Sequence, residues 1–306
     1  MPGSCRFDAA LMPATATTPD NRPMWTLNVV GPGRVGRSLS RLWLDAGVAQ
    51  LQAVLARQPG HAQAAIEALG AGTACTALAQ MPRADVWLLA VPDTQIASVA
   101  AQLAELSQTQ AWAPAQAWHC SGFLTSAEMA PLQALGWDVA SAHPALSFAD
   151  PDRACAQFPG TVCALEGTAA ALQRAQVAFE QIGGRCFELQ AAQKPLYHGA
   201  AVFASNFLPV LQAVATELWQ GTGVPPAWVP GLAQSFLTQV SSNVQALGPR
   251  GALTGPAARG DAMVLAAQGQ AMSARDAALG EAYASLSELA GRLARRGQVL
   301  DDPASS

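Results

Sequence analysis

Apolar and polar positions divide the chain into two kinds of text. From Met24 to about residue 190, short apolar runs alternate with segments of helical periodicity. Residues 25–30 read as a strand and 35–46 as a helix. A second strand falls at 51–55, then a helix at 61–69 that Gly-Ala-Gly stops at 70–72. Residues 84–91 are almost continuously apolar, as in a parallel strand covered on both faces. Pro92 ends that run, and Asp93 or Thr94 can cap a helix reaching Leu106. Further strands are expected at 117–120, 137–142, 161–165 and 185–189, with helices at 125–135 and near 168–182. This alternation predicts an α/β fold built on a doubly wound parallel Rossmann sheet.

Past residue 190 the strand pattern stops. Residues 195–219, 227–246 and 260–296 are long helical patterns rich in Ala, Leu and Gln, broken at 221–226 and 247–256. An all-helical C-terminal domain is therefore expected. The expected division is a disordered tail at 1–23, a Rossmann domain at 24–190, and a helical substrate and dimerisation domain at 191–300. The tail lacks the apolar core of a secretory signal. The broad apolar faces of the helices suggest a homodimer through the helical domain, with a larger internal core as the alternative.

Composition narrows the class. The chain has 306 residues, 51% hydrophobic and 12% charged, enough core material for one large or two medium domains. A net charge of −4 argues against a general nucleic-acid binder. No apolar run reads as long enough to span a membrane. The six cysteines show no Cys-x-x-Cys spacing and no neighbouring His cluster. Reduced thiols, a cytoplasmic location and no metal are expected. Sixteen of the 17 basic residues are Arg, and the single Lys is Lys194.

The strand at 25–30 runs straight into Gly31-Pro32-Gly33-Arg34-Val35-Gly36, and a helix follows. Gly-x-Gly-x-x-Gly between a strand and a helix is a dinucleotide-binding fingerprint. Gly31 allows the turn, Gly33 admits a pyrophosphate, and Gly36 lets helix and strand pack closely. The helix N-terminus offers unpaired N–H groups to the phosphates. About 20 residues past the last glycine, an acid would bind a ribose 2′-hydroxyl. Here the position is Ala56, followed by Arg57. A guanidinium suits a 2′-phosphate, so NADP is expected, with NAD as the alternative. Arg34 can assist. An ordinary surface role is the alternative for Arg57.

Ligands of an open parallel sheet bind beyond the carboxyl ends of its strands. Val91 and Pro92 should line the nicotinamide pocket there, with Asp93 read as a helix cap. Ser121 and Gly122 follow the strand ending near His119-Cys120, where small residues let backbone and hydroxyl meet a substrate. His143, fixed by Pro144, is placed as a general acid or base. Pro195 suits the first helical position. Lys194, His198 and Ser205 then share one face, with Asn206 further round. The alternative for this seam is a solvated Lys and a hydrogen-bonded core His. Arg259 stands in Leu-Thr-Gly-Pro-Ala-Ala-Arg-Gly-Asp at 253–261. It can hold a substrate carboxylate, or pair with Asp261. His61 lies outside these segments.

The layout resembles the 6-phosphogluconate dehydrogenase-like and pyrroline-5-carboxylate reductase-like group. More closely, His119-Cys-Ser-Gly122, His143-Pro144, Tyr197-His198 with Ser205-Asn206, and Thr254-Gly-Pro256 with Arg259-Gly-Asp261 resemble one particular family. In it a Rossmann-like domain precedes a domain of unknown function of the 2520 type. The wider group implies hydride transfer with NAD(P)H and dimers built through the helical domain. Some relatives place Lys and then Asn at the start of the long helix. Lys194 fits the first position, but His198 stands at the second. His143-Pro144 also resembles the catalytic His-Pro of prephenate dehydrogenases, without the rest of that motif.

The expectation is an NADP-dependent oxidoreductase acting on a small anionic carbonyl or imine, or on the matching alcohol or amine. His143, Lys194 and His198 form the catalytic set. Ser121, Gly122, Asn206 and Arg259 contact the substrate. The alternative is a non-catalytic NADP-binding redox sensor or scaffold, since a fold does not guarantee activity.

Overall fold

The computed structural model describes residues 24–301. The tail expected at 1–23 lies outside them. Contacts divide the chain into two compact units between Ser205 and Asn206.

The first unit runs β1 (Trp25–Val30), α1 (Arg34–Asp45), β2 (Ala49–Leu55), α2 (Pro59–Leu69), β3 (Thr73–Cys75), β4 (Val86–Leu89), α3 (Asp93–Thr109), β5 (Gln116–His119), α4 (Ala130–Gln133), β6 (Asp138–Pro144), α5 (Pro151–Gln157), β7 (Val162–Gly167), α6 (Ala169–Gln181), β8 (Arg185–Glu188) and α7 (Lys194–Ala204). The strands form one sheet in the order β3-β2-β1-β4-β5-β6-β7-β8. The order reverses beside β1, and that switch point is where such sheets bind ligands.

The sheet is parallel except at one pair. β7 runs antiparallel to β6, with His143 opposite Ala164 and Ala140 opposite Gly167. The expected doubly wound Rossmann sheet is thus present, parallel at every pair but this one. Gly167 has φ +148°, and a Cβ there would strike the Val139 carbonyl. β3 is a further strand, Thr-Ala-Cys, too short for its text to reveal.

The apolar runs bury both faces of the sheet. Along β4 the side chains alternate: Val86 and Leu88 enter one core, Trp87 and Leu89 the other. Two-residue periodicity sends successive side chains to opposite faces. Trp43 of α1 is fully buried and lies edge-on to Trp25, Trp118 and Phe179. Its indole N–H donates to the Ala178 carbonyl of α6 at 3.1 Å.

The second unit contains α8 (Phe207–Gln220), α9 (Val229–Ala252), α10 (Pro256–Arg259), α11 (Ala262–Arg275) and α12 (Ala277–Arg296). The pattern expected as one helix at 195–219 is therefore two, α7 and α8, with Ser205 and Asn206 between them. The pattern at 260–296 divides at Asp276, whose carboxylate caps α12 by accepting from Leu279 N–H at 2.9 Å. α9 bends at Gly248, with φ +70°, just before Pro249. Exposed apolar side chains on α8 and α9 include Leu208, Leu211, Phe236 and Val240.

Residues Ala191–Gln220 are long and apolar enough to cross a membrane by length and composition, with mean hydropathy 1.4. That corrects the expectation that no such run exists. Helices of soluble proteins meet the same two criteria, so length and composition alone assign no membrane role here.

Candidate active site

β1 ends at Val30, and the chain turns sharply at Gly31, where φ is +93°. A Cβ at Gly31 would meet the Ala90 carbonyl at 2.6 Å. A Cβ at Gly36 would meet the Gly31 carbonyl oxygen at 2.5 Å, so α1 rests directly on the turn. Gly33 faces open space, with nothing within 4 Å of its Cβ position. No side chain caps the start of α1, and no acid stands in its first turn. The uncapped N–H groups and the partial positive charge favour an anion there.

Open space at Gly33 leads into a cleft of about 1220 Å³ at the carboxyl ends of β1, β2 and β4. Gly31, Pro32, Gly33, Arg34, Arg57, Val91 and Pro92 all line it, as does Ala56. Val35 and Gly36 are absent from the lining. Val35 packs on the core and Gly36 is buried. Arg37 and His61 also line the cleft, although sequence reasoning passed over both. Arg37 lies one turn beyond Arg34 on α1, a spacing that offered a signal. His61, in the first turn of α2, offered none without the tertiary fold. An uncapped helix start, a glycine without neighbours and a cleft bordered by three arginines fit a dinucleotide carrying phosphate charge.

Beyond the cleft, the ends of β4, β5 and β6 are tied together. The Ser121 hydroxyl donates to Asp93 Oδ2 at 2.7 Å. It also accepts from the N–H groups of Phe123 at 3.2 Å and Leu124 at 2.8 Å. Asp93, the first residue of α3, makes no cap bond. It anchors Ser121 instead of capping the helix. The Ser121 hydroxyl is thus engaged within the chain.

Lys194 opens α7 and is only 1% exposed. Its Nζ donates to Ser141 Oγ at 2.7 Å and to the Ser121 carbonyl at 3.2 Å. The Ser141 hydroxyl donates in turn to that carbonyl at 3.0 Å. Burial pushes the Lys194 pKa below its ordinary value, while the Glu166 and Asp93 carboxylates pull it back up. Glu166 accepts from both the N–H and the hydroxyl of Ser126 at 2.7 Å. Lys194 therefore braces β5 against β6 from the start of α7.

The histidines gather around Gly122. His143 Nδ1 and the Tyr197 hydroxyl share a hydrogen bond of 3.2 Å. The rings of His143 and His198 meet edge to face, 5.7 Å between centroids. A Cβ on Gly122 would lie 2.9 Å from His143 Nε2 and would run into His198 Nδ1. Burial, then the neighbouring His198 and Lys194, hold the His143 pKa down to about 4. The imidazole is therefore neutral at pH 7. His119 is fully buried and likewise held at about 4, mainly by burial. Its Nδ1 accepts from Ser121 N–H at 3.2 Å, so its Nε2 donates to the Thr125 carbonyl at 3.0 Å.

The structure thus brings His143, Lys194, His198, Ser121 and Gly122 together, and adds Tyr197 and Asp93. Asn206 and Arg259 belong to the helical unit. Asn206 directly precedes α8. Arg259 ends α10 and donates to Asp261 Oδ2 at 3.1 Å, the loop-shaping pair that was the alternative to carboxylate binding. The pair is largely exposed, and such pairs contribute about 0–1 kcal/mol. Among the described residues, no three or more His, Cys, Asp or Glu side chains are placed to hold a metal.

Residues 26–111 match the family described as NADP oxidoreductase, coenzyme F420-dependent, and residues 161–290 match the domain of unknown function DUF2520. The chain carries both domains. The first belongs to an oxidoreductase-like, NADP-binding family. The second spans β7 through most of α12, so it includes Lys194 and His198. No curated protein matches the chain. Among solved structures, the chain is similar to protein TM1727 from Thermotoga maritima, at 26% identity and a TM-score of 0.68, covering 89% of this chain and 99% of that one. BF3122 from Bacteroides fragilis, named as a candidate NADP oxidoreductase, gives 20% identity and 0.71, covering 88% and 98%. A pyrroline-5-carboxylate reductase from Coxiella burnetii gives 13% and 0.56, covering 88% and 99%. The latter two share the fold.

Proposed function

We propose that the protein is an NADP-dependent oxidoreductase that moves a hydride to or from a small, anionic carbonyl or imine compound, or the matching alcohol or amine. One observation carries this reading: a cleft bordered by Arg34, Arg37 and Arg57 lies next to the strand ends that carry the neutral imidazoles of His119 and His143. The Asp93–Ser121 bond links the two, since Asp93 follows the cleft residue Pro92 and Ser121 precedes Gly122. A polar cluster in that place favours catalysis over a sensor or scaffold, for which apolar walls would serve.

When bound, the nicotinamide ring supplies or takes the hydride. The chain's part is orientation and proton delivery. Gly33 and the start of α1 hold the pyrophosphate, and Arg57 pairs with the 2′-phosphate. His143 gives or takes the proton at Nε2, steadied through Nδ1 by Tyr197. Lys194 is a positioning residue that fixes the strand ends beneath His143. The exposed apolar faces of α8 and α9 are covered by a second copy of the chain, giving a homodimer, and light scattering should report twice the mass of 31.5 kDa.

A screen of small carbonyl, imine, alcohol and amine acids, followed by NADPH absorbance, tests the reading. Turnover should appear and fall by at least about 100-fold in His143→Ala, the usual scale for a general acid or base. Unchanged turnover in that variant would remove His143 from the mechanism.

A further inference from the structure

Among the described cysteines, two stand opposite each other across one strand pair. β7 and β8 run parallel, and Cys163 is in register with Cys186. Both side chains pack on the same core, so they share one face of the sheet. Neighbouring strands lie about 4.8 Å apart, within the Cα separation of about 4.4–6.8 Å that a disulfide spans. Gly184, just before β8, permits the close approach, since a Cβ there would press on Cys163 Sγ at 3.2 Å. Both thiols are free. Cys120 follows β5, and β6 separates β5 from β7. Two strand spacings, about 10 Å, put Cys120 beyond disulfide reach of Cys163.

The two thiols are unequal. β8 is the last strand of the sheet, and Cys186 is half-buried on it. Cys163 is fully buried. An oxidant arriving from solvent therefore meets Cys186 first. The Cys163 thiol beside it holds the Cys186 pKa below its ordinary value, against burial and the Glu180 carboxylate. The same contact, together with burial, pushes the Cys163 pKa up. An accessible thiolate with a second thiol poised next to it is the arrangement that reacts with peroxides and then resolves. The pair also lies close to the imidazole cluster. Phe187, next along β8, meets Tyr197 edge to face at 6.0 Å between centroids, and Tyr197 holds His143.

We propose that Cys163 and Cys186 form a redox-active dithiol, which a hydroperoxide converts into a disulfide joining β7 to β8. The proposal stands independently of the oxidoreductase reading above. The Cys186 thiolate attacks the terminal peroxide oxygen. An S–O bond forms, the O–O bond breaks, and the leaving oxygen takes up the proton that Cys186 gave. Cys186 is then a sulfenic acid. The Cys163 sulfur attacks the Cys186 sulfur. The S–S bond forms, the S–O bond breaks, and hydroxide leaves with the Cys163 proton as water. Two thiols are oxidised to one disulfide, and the peroxide is reduced to an alcohol, or to water where it is hydrogen peroxide. Exchange with a dithiol, itself oxidised to a disulfide, restores both thiols.

Hydrogen peroxide added to the full-length native protein tests this. Peptide mapping under non-reducing conditions should join the Cys163 and Cys186 peptides, and dithiothreitol should separate them. Cys163→Ser should stop at a sulfenic acid on Cys186, which dimedone traps. Cys186→Ser should lose the cross-link and consume peroxide at least about tenfold more slowly, because the thiolate is the nucleophile. Circular dichroism checks that both variants fold, and the mapping of the native protein decides the matter even where a variant does not. Both thiols remaining open to alkylation after peroxide treatment, or a cross-link between any other pair of cysteines in their place, would overturn the proposal.

Discussion

The Lys194 ammonium donates to the Ser141 hydroxyl at 2.7 Å, and both groups are buried. Removing one partner of a buried charged hydrogen bond costs more than replacing both. Ser141→Ala should therefore destabilise the protein by about 1.5–3 kcal/mol. In a Lys194→Met background the same change should cost much less. Urea denaturation of the four proteins in this cycle reads the coupling. Equal costs in both backgrounds would mean that the bond does not brace the strand ends.

His119 and His143 make the fold acid-sensitive. Both are held at about 4, against an ordinary 6.5. Between those values the unfolded chain takes up protons that the folded chain refuses. Stability is therefore full above about pH 6.5 and falls as the pH drops toward 4, by up to a few kcal/mol per histidine. Urea midpoints measured from pH 7.5 to pH 4.5 should decline, and more gently in His143→Gln than in the native protein. A flat profile would contradict the burial of these two imidazoles.

The glycines at 33 and 36 should separate binding from folding. Gly33→Ala meets no neighbour within 4 Å, and Gly33 has φ −70°. Its thermal midpoint should stay within a degree or two of native, while NADPH affinity falls at least about tenfold from lost pyrophosphate approach. Gly36→Ala should lower the midpoint as well, because its methyl group meets the Gly31 carbonyl. Equal midpoints for the two variants would show that α1 does not rest on the turn.

Much of this architecture is legible in the sequence because it is written locally. The fingerprint needs only a strand, three glycines and a helix in one stretch, and the buried run at 84–91 announces its own strand. What escapes is non-local. The antiparallel pairing of β7 depends on which strand edge it meets, and the text of 161–165 does not say. Asp93 reads as a cap until the fold brings Ser121 within 2.7 Å of its carboxylate. His143 and His198 stand out as rare residues. That both pack against Gly122, and that Tyr197 holds one of them, follows only from the meeting of β5, β6 and α7. The same holds for His61, which α2 carries to the rim of the cleft.

The central claim is that the cleft between β1 and β4 binds NADP(H) through Arg57. Calorimetric titration of the native protein and of Arg57→Ala with NADPH and NADH tests it most directly. The account predicts that NADPH binds about tenfold or more tightly than NADH, a 2′-phosphate–guanidinium pair of at least about 1.4 kcal/mol, and that Arg57→Ala abolishes most of the difference while leaving NADH affinity unchanged. Equal affinity for the two dinucleotides in the native protein, or an undiminished preference in the variant, would contradict it.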